Sequence, residues 1–467
     1  MITAIKNKFI NASILDMTTG KPAKIIVAFA LPLMIGNLFQ QLYNVVDTMV
    51  VGHFIGTNAL ASVGATSPVV QLLIGLIIGL TGGLSLVVAQ KFGAGDKQAT
   101  RKSIINGFYL TIVLAIIITV LGLLLNRTLF ELINTSDDII DGALLYAGIL
   151  FMGTITTAIY NYEAAVLRAF GNSFIPLVFL IIASLLNIGL DIFFVVSLKM
   201  GIAGVAIATV LSQLISCICC YVYMRKSFEI LVFEKEDYVV DFALIKEQIK
   251  IGMPMAFFQS LLSVSFLFVQ SALNTLGNNE VAAYTAAYKL DTLMLQILAA
   301  FGTAISTFTA QNYGCNNFER VRQGAKDCLK ITIGISIVTA IIVYFFSEYF
   351  MLLFVGKEEI EVITLGVQYV SFTSCFYIIL GVNFVIRFVL TGVGEATVPL
   401  GVGILEIIIR ALSTYLLIYP LGFTGMTYTN PLCWGVSTLL IAILYNRLLK
   451  KAFAKKIKQD QLTSVTE

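Results

Sequence analysis

Apolar stretches long enough to cross a lipid bilayer recur along the whole chain, and this recurrence limits the fold more than any other feature. A membrane-spanning helix needs about 20 mostly apolar residues, because the bilayer core offers no water to an open backbone. Of the 467 residues, 58% are apolar and 12% are charged, whereas soluble domains carry about 25% charged residues. The pattern predicts an all-α polytopic membrane protein with twelve transmembrane helices. The predicted spans are 24–51, 60–90, 103–125, 142–167, 174–197, 202–224, 248–275, 281–311, 327–349, 362–390, 397–419 and 425–448.

Lysine and arginine are concentrated in alternate loops, which predicts the orientation of the chain. Basic residues cluster near the start, within 91–102, 225–250 and 320–326, and again within 450–458. The intervening loops carry almost none. Because cytoplasmic loops are enriched in these residues, both termini are predicted to be cytoplasmic. We expect a multi-pass protein of the inner (plasma) membrane.

The sequence contains two copies of one pattern. Residues 89–96 match 310–317 at an offset of 221, Pro32 matches Pro254 at 222, and Gly171 matches Gly394 at 223. Six spans in each copy give both copies the same orientation. The repeat predicts two six-helix bundles related by a pseudo-twofold axis along the membrane normal, with a substrate site between them. The predicted domains are residues 1–225, a cytoplasmic linker 226–247, residues 248–450, and a disordered cytoplasmic tail 451–467.

Several classes of function find no support in the sequence. The net charge of +3 lies in loops, which argues against a nucleic-acid partner. His53 is the one histidine, and the seven cysteines lack the spacing of a zinc site or a disulfide framework. No phosphate-binding loop occurs. We therefore predict no catalytic residue, no bound metal and no cofactor, and these features argue against a membrane-embedded enzyme.

Two carboxylates within apolar spans are the strongest candidates for function. Asn187 and Asp191 are four residues apart in span 5, so they share one face of a helix. A charge at membrane depth costs about 2.5–3.5 kcal/mol on insertion scales, and such residues face a cavity or a partner. The second carboxylate, Asp47, lies in span 1.

Span 1 is polar along one side, which predicts that this side lines a wet cavity or packs on other helices. The polar residues recur at a spacing of three to four positions, as on one face of a helix: Asn37, Gln40, Gln41, Asn44 and Asp47. In span 7, Gln259 and Ser263 form a matching stripe that could be the opposite wall. Tyr43 and Met294 are further candidates for the cavity surface, although ordinary helix packing accounts for most residues of this kind.

The charges of the second copy can neutralise one another. Glu406 and Arg410 have the spacing of a helical ion pair, and in the first copy Glu163 can pair with Arg168. Asp47 and Asp191 are left without a basic partner. Such carboxylates either exchange protons near neutral pH or bind a hard cation, with further oxygens from Asn187 and Thr209. The residues do not separate a proton from sodium.

Several segments together resemble the MATE (multidrug and toxic compound extrusion) transporters. They are Leu31-Pro32, residues 42–48, Ala89-Gln90 with 93–95, residues 167–172, and residues 187–191. The resemblance implies two bundles that export substrates by alternating access. It assigns Asp47, Asn187 and Asp191 to a cation site in the N-terminal lobe, with Thr209 beside them and Glu163 nearby. No acid aligns with those that some members carry in spans 7 and 10, which points to a DinF-like or MepA-like branch.

The expected function is therefore secondary antiport of hydrophobic, often cationic drugs or metabolites in exchange for H⁺ or Na⁺. The alternative is a lipid-linked oligosaccharide flippase of the same superfamily, but an acidic cavity and twelve spans disfavour it. A channel is also conceivable, although a twofold repeat favours alternating access. The expected partners are small hydrophobic molecules and membrane lipid, and we expect a monomer.

Overall fold

Helices account for the regular structure of the described chain, and no strand occurs in it. The computed structural model describes residues 15–466, without the side chains of 262–267, 459, 460 and 462–466. The helices are α1 (Pro22–Phe54), α2 (Thr57–Gly93), α3 (Lys97–Leu132), α4 (Asp137–Ala169), α5 (Phe174–Ile192), α6 (Gly201–Ser227), α7 (Phe242–Leu273), α8 (Asn278–Gly314), α9 (Phe318–Leu352), α10 (Ile360–Ser374), α11 (Tyr377–Gly392), α12 (Thr397–Ser413) and α13 (Phe423–Thr466).

The helices reproduce the predicted spans and confirm the all-α fold. Ten helical segments in the described chain are each long and apolar enough to cross a membrane. The pair α10 and α11, bent by 50° at a short break, corresponds to the tenth predicted span. Helix α7 occupies the position of span 248–275. One expectation is wrong: the tail after residue 450 is not disordered, because α13 continues through it to Thr466.

Local backbone features recur at the offset of the sequence repeat. Asp96 caps α3 by accepting a hydrogen bond from the backbone N–H of Ala99, and 221 positions later Asn317 caps α9 in the same way. Such caps satisfy backbone donors that a helix start leaves open. A π-helical turn follows α5 at Phe193–Ser197 and another follows α12 at Thr414–Ile418. The duplication is therefore visible in the helix ends as well as in the sequence.

The chain forms two compact units, and two of the boundaries between them fall inside helices, in α1 and α7. The first unit contains Leu31–Ser260 together with Leu15 and Asp16, and the second contains Met17–Ala30 and the residues from Leu261 onward. The start of α1 thus groups with the second unit, and the start of α7 with the first. The lobe boundaries at 225 and 248 follow the sequence copies and stay a prediction.

Small residues bring α2 and α7 into backbone contact within the first unit. A Cβ added to Gly83 would lie 2.5 Å from the Cα of Gly252, and one added to Gly79 would overlap the backbone of Ala256. The glycines at four-residue spacing in α2 therefore serve close helix packing, which is the use that such spacing has in membrane helices.

The segment between α6 and α7 is held on α3 by an arginine. Arg101 donates to the carbonyl of Val232 and to Glu234, each at 2.9 Å, and pairs with Asp237 at 3.2 Å. Asp237 is buried, so the pair holds this part of the predicted linker against the first unit.

Candidate ion-binding site

The two carboxylates singled out in the sequence meet inside the first unit. Asp47 comes from α1 and Asp191 from the end of α5, and their side chains lie within hydrogen-bond reach of each other. Asp191 has no exposed surface, and one oxygen of each carboxyl group is buried without a hydrogen-bond partner. Two carboxyl groups this close repel each other when both are ionised, so the pair favours a bound proton or cation between them.

Asn187 and Thr209 complete the polar cluster. Asn187 is 1% exposed and, with its amide nitrogen turned toward Asp191, donates to Oδ2 at 3.0 Å while its oxygen accepts from the backbone N–H of Thr209 at 3.2 Å. The Thr209 hydroxyl donates to the carbonyl of Val205 on its own helix, α6. Three helices therefore supply the groups that were predicted to lie together.

Two tyrosines extend the cluster. The hydroxyl of Tyr43, one turn before Asp47 on α1, contacts the side chain of Thr209. Tyr146 on α4 is buried and lies close enough to Asp47 and Asp191 for their charges to act on its hydroxyl. Tyr43 was predicted only as a cavity residue, and Tyr146 was not predicted. A lone tyrosine in an apolar helix gives no sequence signal, so only the three-dimensional packing reveals it.

The arrangement suits a proton or a small hard cation. Within the described chain no lysine or arginine forms an ion pair with Asp47 or Asp191. The available donor atoms are carboxylate, amide and hydroxyl oxygens, which are the ligands that hard cations prefer. Among the described residues, no group of three or more histidine, cysteine, aspartate or glutamate side chains could hold a metal ion.

Glu163 lies in a different cluster. Its carboxyl group contacts the thiols of Cys217 and Cys220 from α6, and it is buried. The expected ion pair with Arg168 is wrong, since no salt bridge joins these two described residues. The charge of Arg168 acts instead on Tyr160 and Cys220.

The predicted cavity residues have different environments. Gln40 and Asn44 on α1 are exposed, and Asn37, Gln41 and Gln259 are half-buried. The side chain of Ser263 lies outside the described part of the chain. Met294 is 1% exposed and packs against Tyr377 and Trp434 in the core of the second unit. We therefore remove Met294 from the predicted cavity, because its surface is already covered.

The second unit neutralises its buried charges, but with a different pairing from the expected one. Glu406 on α12 forms its ion pair with Arg387 on α11 at 2.5 Å, and not with Arg410 one turn along its own helix. Both partners are almost completely buried. The expectation failed because helix spacing identifies neighbours within one helix and says nothing of a closer residue on the adjacent one.

Comparison with known proteins gives a consistent result. The family model described as MatE matches residues 32–193 and again 254–416, so the two halves match the same model. A probable multidrug resistance protein of Bacillus subtilis, YpnP, is 29% identical over 88% of this chain and 89% of its own length. The multidrug export protein MepA of Staphylococcus haemolyticus is 23% identical over 91% of this chain and 94% of its own. A solved outward-facing structure of a multidrug resistance MATE family transporter has a TM-score of 0.87 at 24% identity, covering 93% of this chain and 98% of that one.

Proposed function

The chain belongs to the MATE family of membrane transporters, and on that premise we propose that it exports hydrophobic, often cationic small molecules in exchange for H⁺ or Na⁺. The observation that carries the proposal is the pair of neighbouring carboxylates, Asp47 and Asp191, with no basic partner in the described chain. An antiporter needs a group that binds the coupling ion in one conformation and releases it in the other. The ion drives the change of conformation only through its different affinity for the two states.

We assign the coupling ion to Asp47, Asp191, Asn187 and Thr209. The carboxylates carry the charge that changes on ion binding, and Asn187 fixes the rotamer of Asp191 through the bond at 3.0 Å. Tyr43 and Tyr146 shield the site. Glu163 belongs to the proposed coupling set only as an outlying member, since its contacts are the thiols of α6.

The names of the relatives support export of drugs. YpnP is described as a probable multidrug resistance protein and MepA as a multidrug export protein. Neither name points to a lipid-linked oligosaccharide flippase, and the acidic site of the first unit offers no basic surface for a pyrophosphate. We therefore keep drug or metabolite export as the function. Transport of this kind needs no bound cofactor other than the coupling ion.

The polar residues of α1 are the proposed start of the substrate path. Gln40 and Asn44 are exposed, and Asn44 lies one turn before Asp47. A cation bound near these amides would feel the negative charge of the carboxylate pair. Loading of the pair with a proton or sodium would remove that charge and favour release, which makes substrate and ion compete.

The lysine and arginine pattern supports cytoplasmic termini, and nothing in the proposed mechanism requires a second copy of the chain. We propose a monomer in the inner membrane. With one ion exchanged for one monovalent cation, transport would be electroneutral, whereas two ions would also draw on the membrane potential, at about 2.3 kcal/mol per charge for 100 mV.

Uptake of a fluorescent lipophilic cation into inside-out membrane vesicles tests the proposal. The vesicles receive either an imposed pH gradient, acid inside, or an imposed sodium gradient. We expect one gradient to drive uptake by the wild type, and Asp47→Asn and Asp191→Asn each to abolish it. Asp138→Asn changes an exposed acid in α4 and is the matched control, expected to keep the wild-type rate.

The outcomes separate the parts of the proposal. A wild type that moves no cation under either gradient would contradict multidrug export. A working wild type with two equally active variants would leave the exporter in place and remove the coupling site.

A further inference from the structure

The tenth predicted span is broken, and one buried carboxylate holds both of its arms. Helix α10 ends at Ser374, α11 begins at Tyr377, and the two are bent by 50°. The Tyr369 hydroxyl on α10 donates to Oδ2 of Asp291 at 2.8 Å, and the Tyr377 hydroxyl on α11 donates to Oδ1 at 2.7 Å. Asp291 belongs to α8, so a third helix joins the two arms.

The hydrogen bonds have a fixed direction. Asn430 on α13 donates its side-chain amide to the Tyr369 hydroxyl at 2.7 Å, which leaves Tyr369 free to donate to Asp291. Both Asp291 oxygens therefore accept, and this is the pattern of an ionised carboxylate. Hydrogen bonds to an ionised acceptor are about twice as strong as neutral ones.

The surroundings exclude water from this carboxylate. Asp291 is 1% exposed, and Tyr369 and Tyr377 have no exposed surface. The titratable groups that act on Asp291 are these two tyrosines, together with Tyr284, Tyr288 and Arg410. Tyr369 and Tyr377 donate hydrogen bonds to Asp291, and Arg410 supplies positive charge.

We propose that Asp291 is a positioning residue for transport, whose carboxylate clamps the two arms of the broken span α10–α11 at their 50° angle. At the break, the backbone N–H groups of Cys375 and Phe376 donate to the carbonyls of Phe372 and Thr373. The i to i−4 ladder of a regular helix is interrupted there, which leaves the angle between the two arms adjustable. A charged acceptor shared by both arms removes that freedom. The clamp lies in the second unit, so it is separate from the carboxylate pair that exchanges the ion. Its transport consequence rests on the proposed function, whereas the geometry of the clamp does not.

Spin-label distances test the clamp directly. Labels are placed on Thr364→Cys in α10 and Glu395→Cys just beyond α11, with the seven native cysteines replaced. The variants are Tyr377→Phe, which removes one arm of the clamp, the double variant Tyr369→Phe/Tyr377→Phe, and Asp291→Asn. Tyr349→Phe, an exposed tyrosine of α9, is the matched control.

The proposal expects a broader or shifted distance distribution in the double variant, with a smaller change in Tyr377→Phe. The maximal rate of cation uptake should fall roughly tenfold, as expected for loss of a hydrogen bond to a charged group. The KM for the cation and the pH midpoint of uptake should stay at their wild-type values, because the clamp contacts neither substrate nor coupling ion.

An unchanged distance distribution in the double variant would overturn the clamp. A changed distribution with full transport rate would overturn its role in transport, and a shifted pH midpoint would place Asp291 in the ion-exchanging machinery instead. If Asp291→Asn fails to fold, the Tyr377→Phe variant still decides, since it keeps the carboxylate. A wild type without transport defeats the proposed function but leaves the distance measurement valid.

Discussion

Asn187 donates its side-chain amide to Oδ2 of Asp191 across one turn of α5, at 3.0 Å. The bond selects one rotamer of a carboxylate that has no exposed surface. The other oxygen, Oδ1, is buried and has no hydrogen-bond partner. The arrangement separates a positioning contact from the oxygen available for an ion.

Replacement of Asn187 by alanine should change the affinity of the site for the coupling ion without destroying the fold. Asn187 donates to the ionised carboxylate, and such a bond contributes about 1.5–3 kcal/mol. Its loss favours the protonated form, so the H⁺ concentration needed for half-maximal uptake should fall roughly tenfold or more if the coupling ion is H⁺. If the coupling ion is Na⁺, the required Na⁺ concentration should rise instead, because protons then compete better for the carboxylate. Titration of vesicle uptake against the coupling ion measures this change. Asn58→Ala, at an exposed position of α2, is the control, and an unchanged ion dependence in Asn187→Ala would contradict the assigned role.

Glu163→Gln should have a much smaller effect than Asp191→Asn. The carboxyl group of Glu163 contacts the thiols of Cys217 and Cys220. The neutral side-chain amide of a glutamine at this position can accept hydrogen bonds from the same two thiols. We expect uptake within about fivefold of wild type, since a weakened neutral hydrogen bond costs at most about 1 kcal/mol. The same vesicle assay compares the two variants. Loss of uptake as complete as in Asp191→Asn would place Glu163 at the centre of ion coupling.

Gly83→Leu should destabilise the first unit. The added side chain would start 2.5 Å from the Cα of Gly252, and overpacking of this kind costs about 1–3 kcal/mol or more. Thermal unfolding in detergent, followed by size-exclusion chromatography, should show a midpoint lower by several degrees. Gly64→Ala is the control, because a Cβ there meets no atom within 4 Å; equal midpoints in both variants would contradict the packing role.

Replacing one partner of the ion pair between Arg387 and Glu406 should lower the free energy of unfolding more than replacing both partners. Loss of one partner leaves a buried charge uncompensated, at about 3–5 kcal/mol. We therefore expect Glu406→Gln to lower the unfolding midpoint strongly, and the double variant Arg387→Met/Glu406→Gln to recover part of the loss. The unfolding midpoints of Arg387→Met, Glu406→Gln and the double variant form the test. Additive effects would show that the charges act independently.

The sequence predicted the fold well because its signals are local. Apolar length and the positions of basic loops identify each membrane helix without reference to its neighbours, and the repeat at offset 221–223 identified the two copies. The cluster of Asp47, Asn187 and Asp191 was also predictable. An acid in an apolar helix is costly wherever it lies, so its presence alone indicates a partner or a function.

Contacts between helices were the part that sequence reasoning missed. Glu406 was paired with Arg410 because helix spacing is visible in the sequence, whereas the approach of Arg387 from α11 depends on packing. The same holds for Asp291, whose carboxylate accepts hydrogen bonds from the hydroxyls of Tyr369 and Tyr377 on other helices. Tyrosine is common in apolar helices, so nothing in its position distinguishes a packing residue from a donor.

The boundary of the first unit inside α7 limits how this protein can be taken apart. A chain cut between α6 and α7 would separate the duplicated halves, with six predicted spans in each. The N-terminal fragment would then lack Gly252 and Ala256, and the small-residue face of α2 would have no backbone to pack on. The C-terminal fragment would lack Met17–Ala30, which belongs to the second unit. The halves are copies in sequence but not self-sufficient modules: separately expressed fragments should be insoluble or degraded alone and should reassemble only when produced together.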